Sequence, residues 1–234
     1  KGQAIVNLLN IKDDTITNII AVKEFSGYLF MTTKKGIVKK IRLDLFSKPR
    51  STGVRIINLP SDNSDFVIDV KRISERQEVM LMTKEGQAIR FNSEEVRNMG
   101  RSSYGVTGIK LEDKDEVVSL EVVPIEKTNE TILTISENGF GKRSEIDDYR
   151  VTSRSGKGVI NLKVTEKTGK VVRTIAVSPQ DTVVVTTKKG IAIRTPVINI
   201  RLTGRAAQGV KIITLKEGDK VVDIAKLHKE NEES

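Results

Sequence analysis

Hydrophobic and polar residues alternate along most of this chain, and glycine interrupts the alternation at regular intervals. Four segments share one form: Tyr28-Leu-Phe-Met-Thr-Thr-Lys-Lys-Gly36, Val79-Met-Leu-Met-Thr-Lys-Glu-Gly86, Ile132-Leu-Thr-Ile-Ser-Glu-Asn-Gly139 and Val183-Val-Val-Thr-Thr-Lys-Lys-Gly190. Their glycines lie 50, 53 and 51 residues apart, and a hydroxyl residue stands three positions before each: Thr33, Thr83, Ser136 and Thr187. A small polar residue at the first turn position with glycine at the fourth is type I turn chemistry. The glycine, in the left-handed region, then closes a three-residue hairpin loop through a bulge. Each segment therefore predicts a β-hairpin.

A second marker follows each hairpin by 17 to 19 residues: Gly53-Val54, Gly105-Val106, Gly158-Val159 and Gly209-Val210. Aliphatic residues stand four positions beyond each glycine (Ile57, Ile109, Leu162, Ile213) and six beyond (Leu59, Leu111, Val164, Leu215). That period of two predicts a half-buried third strand. A turn at Asp65, Asp115, Gly169 or Asp219 leads to a fourth, such as Val117-Val118-Ser-Leu120 or Val221-Val222-Asp-Ile224. Short polar connections such as Ser93-Glu-Glu-Val-Arg-Asn-Met99 suit one helical turn.

Each unit is thus expected to carry four strands rich in β-branched residues. Four strands per roughly 50 residues is the spacing of a propeller blade, and it excludes a helical solenoid. The predicted fold class is all-β and propeller-like, with units at 23–75, 76–127, 128–180 and 181–228 and a polar tail at 229–234. Residues 1–22 hold only the second half of a unit. Gly2 leads Val6 and Leu8, Asp14 leads Ile16, Ile19 and Ile20, and Gly2 precedes Gly53 by 51 residues. The expectation is one domain over 1–228 with about five blades represented, the first incomplete, in a chain that starts in mid-blade.

Composition narrows the function. Hydrophobic residues make up 37%, enough to bury a core, but aromatics only 4%, so Val, Ile and Leu must build it. Lys and Arg total 40 against 31 acidic residues, a net charge of +9, which suits a polyanionic partner and nucleic acid first. Cysteine is absent, excluding disulfides and thiolate metal sites and fitting a reducing cytoplasm. No apolar run approaches the roughly 18 residues of a membrane helix, so no membrane partner is expected.

The motifs then carry a resemblance. Ala4-Ile-Val-Asn-Leu-Leu9, Gly36-Ile-Val-Lys-Lys40, Arg97-Asn-Met-Gly100, Asn138-Gly-Phe-Gly-Lys-Arg143 and Arg154-Ser-Gly-Lys-Gly-Val-Ile160 occur in order and at matching spacing through essentially the whole chain. Together they resemble the C-terminal β-pinwheel domain of the DNA gyrase A protein, part of a bacterial type IIA topoisomerase. The resemblance implies a six-bladed pinwheel whose basic rim wraps double-stranded DNA. It implies no catalysis in the domain itself. The parent enzyme hydrolyses ATP to drive negative supercoiling, with the gyrase A N-terminal region and the gyrase B protein as partners, in the bacterial cytoplasm at the nucleoid. The family's basic, glycine-rich box (Gln-Arg-Arg-Gly-Gly-basic-Gly) has no counterpart here. Arg154-Ser-Gly-Lys-Gly158 and Arg205-Ala-Ala-Gln-Gly209 are degenerate echoes of it, and a start in mid-blade accounts for its absence. The corresponding domain of topoisomerase IV, or a propeller-type scaffold for proteins, are the alternatives.

Basic residues recur in phase. Four positions past each hairpin glycine stand Lys40, Arg90, Arg143 and Arg194; four before the second glycine stand Arg101, Arg154 and Arg205, with Arg50 one residue closer to Gly53. Lys34, Lys35, Lys39, Lys142, Lys157, Lys188 and Lys189 add charge on or beside the same turns. These fifteen residues are the candidate DNA contacts, read as a solvent-facing ring that meets phosphates while the duplex bends. Base readout is not expected, since nothing resembles a recognition helix or a ββα finger. No catalytic or metal site is expected and no cofactor is implied. His228 is the single histidine, Asp147-Asp148-Tyr149 reads as a loop anchor, Glu112-Asp113 and Asp115-Glu116 read as turn residues, and no Gly-Lys-Ser/Thr follows the glycines.

Overall fold

The four glycine-closed segments fold into antiparallel hairpins: β1 (Tyr28–Thr33) with β2 (Ile37–Arg42), β4 (Glu78–Thr83) with β5 (Gln87–Asn92), β8 (Thr131–Ser136) with β9 (Phe140–Glu145), and β12 (Thr182–Thr187) with β13 (Ala192–Pro196). The structure, a computed structural model, describes residues 15–48, 53–126 and 128–227. At the hairpin tips Gly36, Gly86, Gly139 and Gly190 have φ of 78°, 84°, 80° and 79°, the left-handed region that glycine enters without cost. Each of their N–H groups donates at 3.0 Å to the carbonyl of the hydroxyl residue three positions earlier. In three hairpins the hydroxyl also accepts the next N–H, as Thr83 Oγ1 does from Gln87 at 3.1 Å.

A long inner strand pairs with the first strand of each hairpin: β3 (Val67–Ile73), β7 (Val117–Val123), β11 (Val171–Val177) and β15 (Val221–Leu227). In each pair the register shifts beside the hydroxyl residue of the turn, for example between Thr32 and Thr33 opposite β3. The polar connection after each hairpin is one turn of 3-10 helix, at Leu43–Phe46, Ser93–Glu95, Ile146–Asp148 and Val197–Asn199, as the sequence suggested.

The third strand departs from expectation. It is two residues long and belongs to the sheet of the preceding unit. β6 (Val106–Thr107) pairs with β2, β10 (Val159–Ile160) with β5, and β14 (Val210–Lys211) with β9. The sheet orders are therefore β3-β1-β2-β6, β10-β5-β4-β7 and β11-β8-β9-β14, and the last sheet is β13-β12-β15. Glycine permits the exchange. A Cβ on Gly158 would lie 2.3 Å from the Ala88 carbonyl, and one on Gly209 would lie 2.6 Å from the Gly141 carbonyl. The period-two aliphatics buried beyond these strands, Ile109, Leu162 and Ile213, sit against the hairpin glycine of the preceding unit. Gly53 and Gly190, at the two ends of this series, have nothing within 4 Å of where a Cβ would stand, and among the described residues no donated strand lies on β13.

Blades pack through aliphatic side chains and a tilted ring pair, Phe30 with Phe91, 6.4 Å between centroids. Full burial of a side chain of this size is worth about 1.5–3 kcal/mol. Neighbouring inner strands adjoin, β3 with β7, β7 with β11 and β11 with β15, and they carry polar side chains toward one another. Arg173 reaches Asp69 at 3.3 Å, Lys71 reaches Glu121 at 3.1 Å, and Ser119 Oγ accepts the Thr174 N–H. Burial pushes the Glu121 carboxyl up from its ordinary range against the pull of Lys71.

The half-blade expected over 1–22 falls largely on residues outside those described. Within the described part, Asn18 donates to Asp69 Oδ1 at 2.6 Å and to the Val70 carbonyl at 3.1 Å, so this segment lies against β3. The tail at 229–234 and His228 also lie outside the described residues.

Candidate nucleic-acid interface

After its 3-10 turn each of the last three units runs along the outer strand of the preceding blade before donating its short strand. Met99 N–H bonds the Lys40 carbonyl, Thr152 the Arg90 carbonyl and Thr203 the Arg143 carbonyl, at 2.8 to 2.9 Å. Between these bridges and the donated strands, residues 100–105, 153–158 and 204–209 form loops on the perimeter of the sheets, opposite the inner strands.

The first basic column does not stand free on that perimeter, contrary to the solvent-facing ring expected from the sequence. Arg90 is only 9% exposed. Its Nε and Nη2 both lie 2.6 Å from Glu78 Oε2, while Nη1 donates to the carbonyls of Ile146 (2.8 Å) and Tyr149 (3.1 Å) in the next unit's 3-10 turn. Arg143, also buried, donates from Nε to the Ile200 carbonyl at 2.7 Å. Lys40 donates to the Ser93 carbonyl at 3.0 Å and stacks over the Tyr28 ring. Three consecutive blades thus use this position to hold the turn of the blade that follows. Arg194, the fourth member, is exposed and has no side-chain partner among the described residues.

The second column points the other way. Arg154 donates from Nη1 to the Thr107 carbonyl at 2.9 Å, and Arg205 from Nη1 to the Ile160 carbonyl at 2.9 Å. Each guanidinium therefore grips the strand that the preceding unit has donated. Arg101 is exposed and its side chain is unpaired among the described residues, and Arg50 lies outside them.

Two lysines are buried beneath the perimeter loops. Lys39 Nζ donates to the carbonyls of Arg101 (3.0 Å) and Ser103 (2.8 Å), which fixes the course of that loop. Lys142 Nζ bonds Ser144 Oγ, which in turn donates to the Thr203 carbonyl at 2.9 Å. Burial pulls the Lys142 ammonium down to about 8 and lowers Lys39 as well. Neither charge is available to a ligand.

The hairpin end of the blades is mixed in sign. Lys34 and Lys84 share Glu116 at 2.8 and 2.7 Å, Lys170 meets Glu85 at 2.5 Å, and Lys220 meets Glu137 at 2.6 Å. Burial works against ionisation of Glu116, but the two ammonium groups hold its carboxyl below the usual range. Lys35 donates to Ser64 Oγ and Lys189 to the Glu217 carbonyl, both exposed; Lys188 is exposed and unpaired among the described residues. Lys157, on a perimeter loop, pairs with the equally exposed Glu112 at 2.6 Å. Exposed pairs of this kind are worth about 0–1 kcal/mol and exchange readily for another anion.

A third column emerges that was not singled out from the sequence. Arg97, Arg150 and Arg201, each eleven residues past a hairpin glycine, follow the 3-10 turns where the perimeter loops begin. All three are exposed, and among the described residues their side chains carry no hydrogen bond or ion pair. The signal was present in the sequence, because the same alignment on the hairpin glycines brings the three arginines into one column.

Among the described residues no group of His, Cys, Asp or Glu could hold a metal ion, and no helix is long and apolar enough to cross a membrane. Tyr149 is buried, and its hydroxyl bonds Asn161 Oδ1 at 2.5 Å. Burial raises its pKa far above the ordinary value, so it is an anchor of the loop.

Set beside known proteins, the chain matches the family model of the DNA gyrase C-terminal domain, β-propeller, four times, over residues 27–74, 77–124, 130–178 and 181–227. It is 38% identical over 232 residues to the DNA gyrase A protein of Chlamydia pneumoniae, covering 97% of this chain and 27% of that protein. Against the DNA gyrase A protein of Salmonella typhimurium the identity is 41% over 230 residues, with 97% and 26% covered. The chain thus spans about a quarter of the length of these relatives. Among solved structures, a DNA gyrase A C-terminal domain superposes with a TM-score of 0.86 at 31% identity, covering 97% of this chain and 76% of the other. The C-terminal domain of a DNA topoisomerase IV gives 0.88 at 27% identity, with 97% and 70% covered.

Proposed function

The chain belongs to the DNA gyrase C-terminal domain family, and from that premise we propose that it binds double-stranded DNA around the perimeter of its blades, bending and wrapping it without reading base sequence. The observation that carries this reading is the series of perimeter loops. They recur on three successive units, lie outside the sheets and bear the exposed cations Arg101 and Lys157 beside Arg97, Arg150 and Arg201. A duplex presents one phosphate charge per about 1.7 Å of axis, so a curved series of cations can follow it whatever its sequence. Of the fifteen candidates, Lys39, Lys40, Arg90, Lys142, Arg143, Arg154 and Arg205 serve this by holding loops and blades in place, and the exposed members remain available to phosphate.

In this reading the chain is a non-catalytic β-pinwheel domain over residues 1–228 of a gyrase A protein. It supports negative supercoiling driven by ATP hydrolysed elsewhere in a complex with the gyrase B protein, in the bacterial cytoplasm at the nucleoid. The topoisomerase IV structure at TM-score 0.88 favours a second reading, the corresponding domain of that enzyme. Filter binding to random-sequence duplexes over a salt series tests the first. With about six phosphates neutralised, log K falls against log salt with a slope near −5. A flat salt response, or strong preference for one short sequence, overturns it. Relaxing plasmid by a type I topoisomerase in the presence of the chain then separates the two readings: a shift of the topoisomer distribution toward constrained writhe supports the gyrase domain.

A further inference from the structure

We propose that Arg97, Arg150 and Arg201, one on each of three successive blades, are phosphodiester contacts of the perimeter, with the crevice beside Arg150 as one seat. The inference rests on the DNA-binding reading above and deepens it by dividing the arginines into those that hold the blades together and those that face the ligand. Arginine is abundant at repeated positions, yet Arg90 and Arg143 of the first column are bonded to the next blade and Arg154 and Arg205 of the second to the preceding one, which leaves only Arg194 and Arg101 free in those columns among the described residues. Arg90 has all three nitrogens engaged, and the guanidinium groups of Arg143, Arg154 and Arg205 are each tied in place by a carbonyl of a neighbouring blade. In the third column all the donors are free among the described residues, and a planar fork of free donors suits bidentate phosphate binding.

Position supports the assignment. Each residue stands between a 3-10 turn that is gripped by the preceding blade and a loop anchored by backbone bonds to that blade's outer strand, so its backbone is held at both sides. The three side chains therefore repeat at the spacing of the blades. At Arg150 the perimeter loop encloses a crevice of about 230 Å³ against Ala88, Ile89 and Arg90, with Thr152, Ser153, Gly156 and Lys157 on its walls. Arg150, Lys157, the hydroxyl residues Thr152 and Ser153, and Gly156 line one opening, together with Arg90, whose charge is met by Glu78. An anionic tetrahedral group is the ligand chemistry such a lining fits, and Lys157 is tied there only by an exposed pair with Glu112. An acidic protein surface would satisfy one such site. It would have no reason to match a single unpaired cation repeated on three successive blades, as a phosphate backbone following the perimeter does.

The test compares two triple variants of the chain with equal loss of charge. One is Arg97→Gln, Arg150→Gln and Arg201→Gln. The other removes one exposed lysine per blade from the turns at the hairpin end, as Lys114→Asn, Lys167→Gln and Lys216→Gln; asparagine is chosen at 114 because that residue has φ of 66°. Duplex affinity is read by fluorescence anisotropy across a salt series, with thermal melting in parallel. The arginine variant should bind on the order of 100-fold more weakly at moderate salt, and its log–log slope should be shallower by about 2.7, three contacts' worth. The lysine variant should keep the parent slope. Equal losses in the two variants, an unchanged slope in the arginine variant, or a marked drop in its melting temperature would each overturn the assignment while leaving DNA binding by the parent chain intact. Failure of the parent chain itself to bind duplex would instead overturn the function on which the inference rests.

Discussion

Arg90 and Arg194 occupy the same position in two blades, four residues past the hairpin glycine, and they do different things. Arg90 is buried, paired with Glu78 and bonded to two carbonyls of the following unit; Arg194 is exposed and unpaired among the described residues. The residue type and its place on the outer strand are the same, so the difference lies in the surroundings. Arg90 has a following unit against its strand, whose 3-10 turn presents carbonyls at hydrogen-bonding distance. No such turn adjoins Arg194 among the described residues. A repeated arginine in a repeat protein can therefore be an internal fastener wherever two repeats meet and a free cation where they do not. Charge counted along the sequence overstates the charge offered to a ligand.

The largest expected effect breaks that pair of residues directly. Arg90→Ala leaves Glu78 buried without its counter-charge and two carbonyls without a donor, and breaking a buried pair in this way costs about 3–5 kcal/mol. Arg194→Ala should change stability by less than about 0.5 kcal/mol, as exposed substitutions usually do. Urea denaturation of the two variants measures the contrast. Similar midpoints would mean that the Arg90 network contributes nothing to holding the blades.

A second contrast separates blades by the residue three past the hairpin glycine, which is Lys39, Ile89, Lys142 and Ile193 in turn. Burial pulls Lys142 to about 8 from an ordinary 10.5. Below about pH 8 the folded and unfolded chains both hold that proton and the penalty for burying the charge stands in full, on the order of 3 kcal/mol. Between about 8 and 10.5 the unfolded chain holds one proton more than the folded chain, so this residue makes stability rise with pH across that window. Lys142→Ile, the residue that two other blades already carry, should abolish that rise and add up to about 3 kcal/mol at neutral pH. Denaturation midpoints at pH 7 and pH 9.5 decide it. A variant less stable at pH 7, with the rise intact, would show that Lys142 keeps its charge solvated in the folded chain.

The hairpins and their spacing could be read from the sequence because turn chemistry is local: a hydroxyl, then a glycine three residues on, determines a hydrogen bond within four residues. The exchanged strand could not. An alternating pattern such as Ile109 and Leu111 records that one side is buried but not which sheet buries it, and here the burying surface belongs to the preceding unit. The candidate site was legible in the same partial way. Alignment on the glycines found two arginine columns, but the carbonyls that engage them lie some 45 to 60 residues away in sequence and bear no side-chain signature. The free column at Arg97, Arg150 and Arg201 was in view within Arg97-Asn-Met-Gly100, a motif whose likeness to a family hides its place in the repeat.

The smallest effect sharpens the comparison at the glycines that close the hairpins. Gly86 and Gly190 share a turn and nearly the same φ, 84° and 79°. At Gly86, however, a Cβ would stand 2.2 Å from the Leu162 carbonyl of the next unit; at Gly190 it would meet nothing within 4 Å. Gly190→Ala therefore carries only the cost of an alanine in the left-handed region, about 1–2 kcal/mol, partly offset by a stiffer unfolded chain. Gly86→Ala carries the same cost and must also push the donated segment away, for a further 1–2 kcal/mol or so, the range typical of an overpacked site. The extra loss has a location. The N–H groups of Asn161 and Leu162 both donate to the Gly86 carbonyl, at 2.7 and 3.2 Å, so their hydrogen exchange should quicken in Gly86→Ala while the hairpin's own amide at residue 86, which bonds the Thr83 carbonyl, stays protected. Equal costs for the two substitutions, with exchange at 161 and 162 unchanged, would mean that these glycines serve only their turns and that the close seating of one unit on the next does not depend on them.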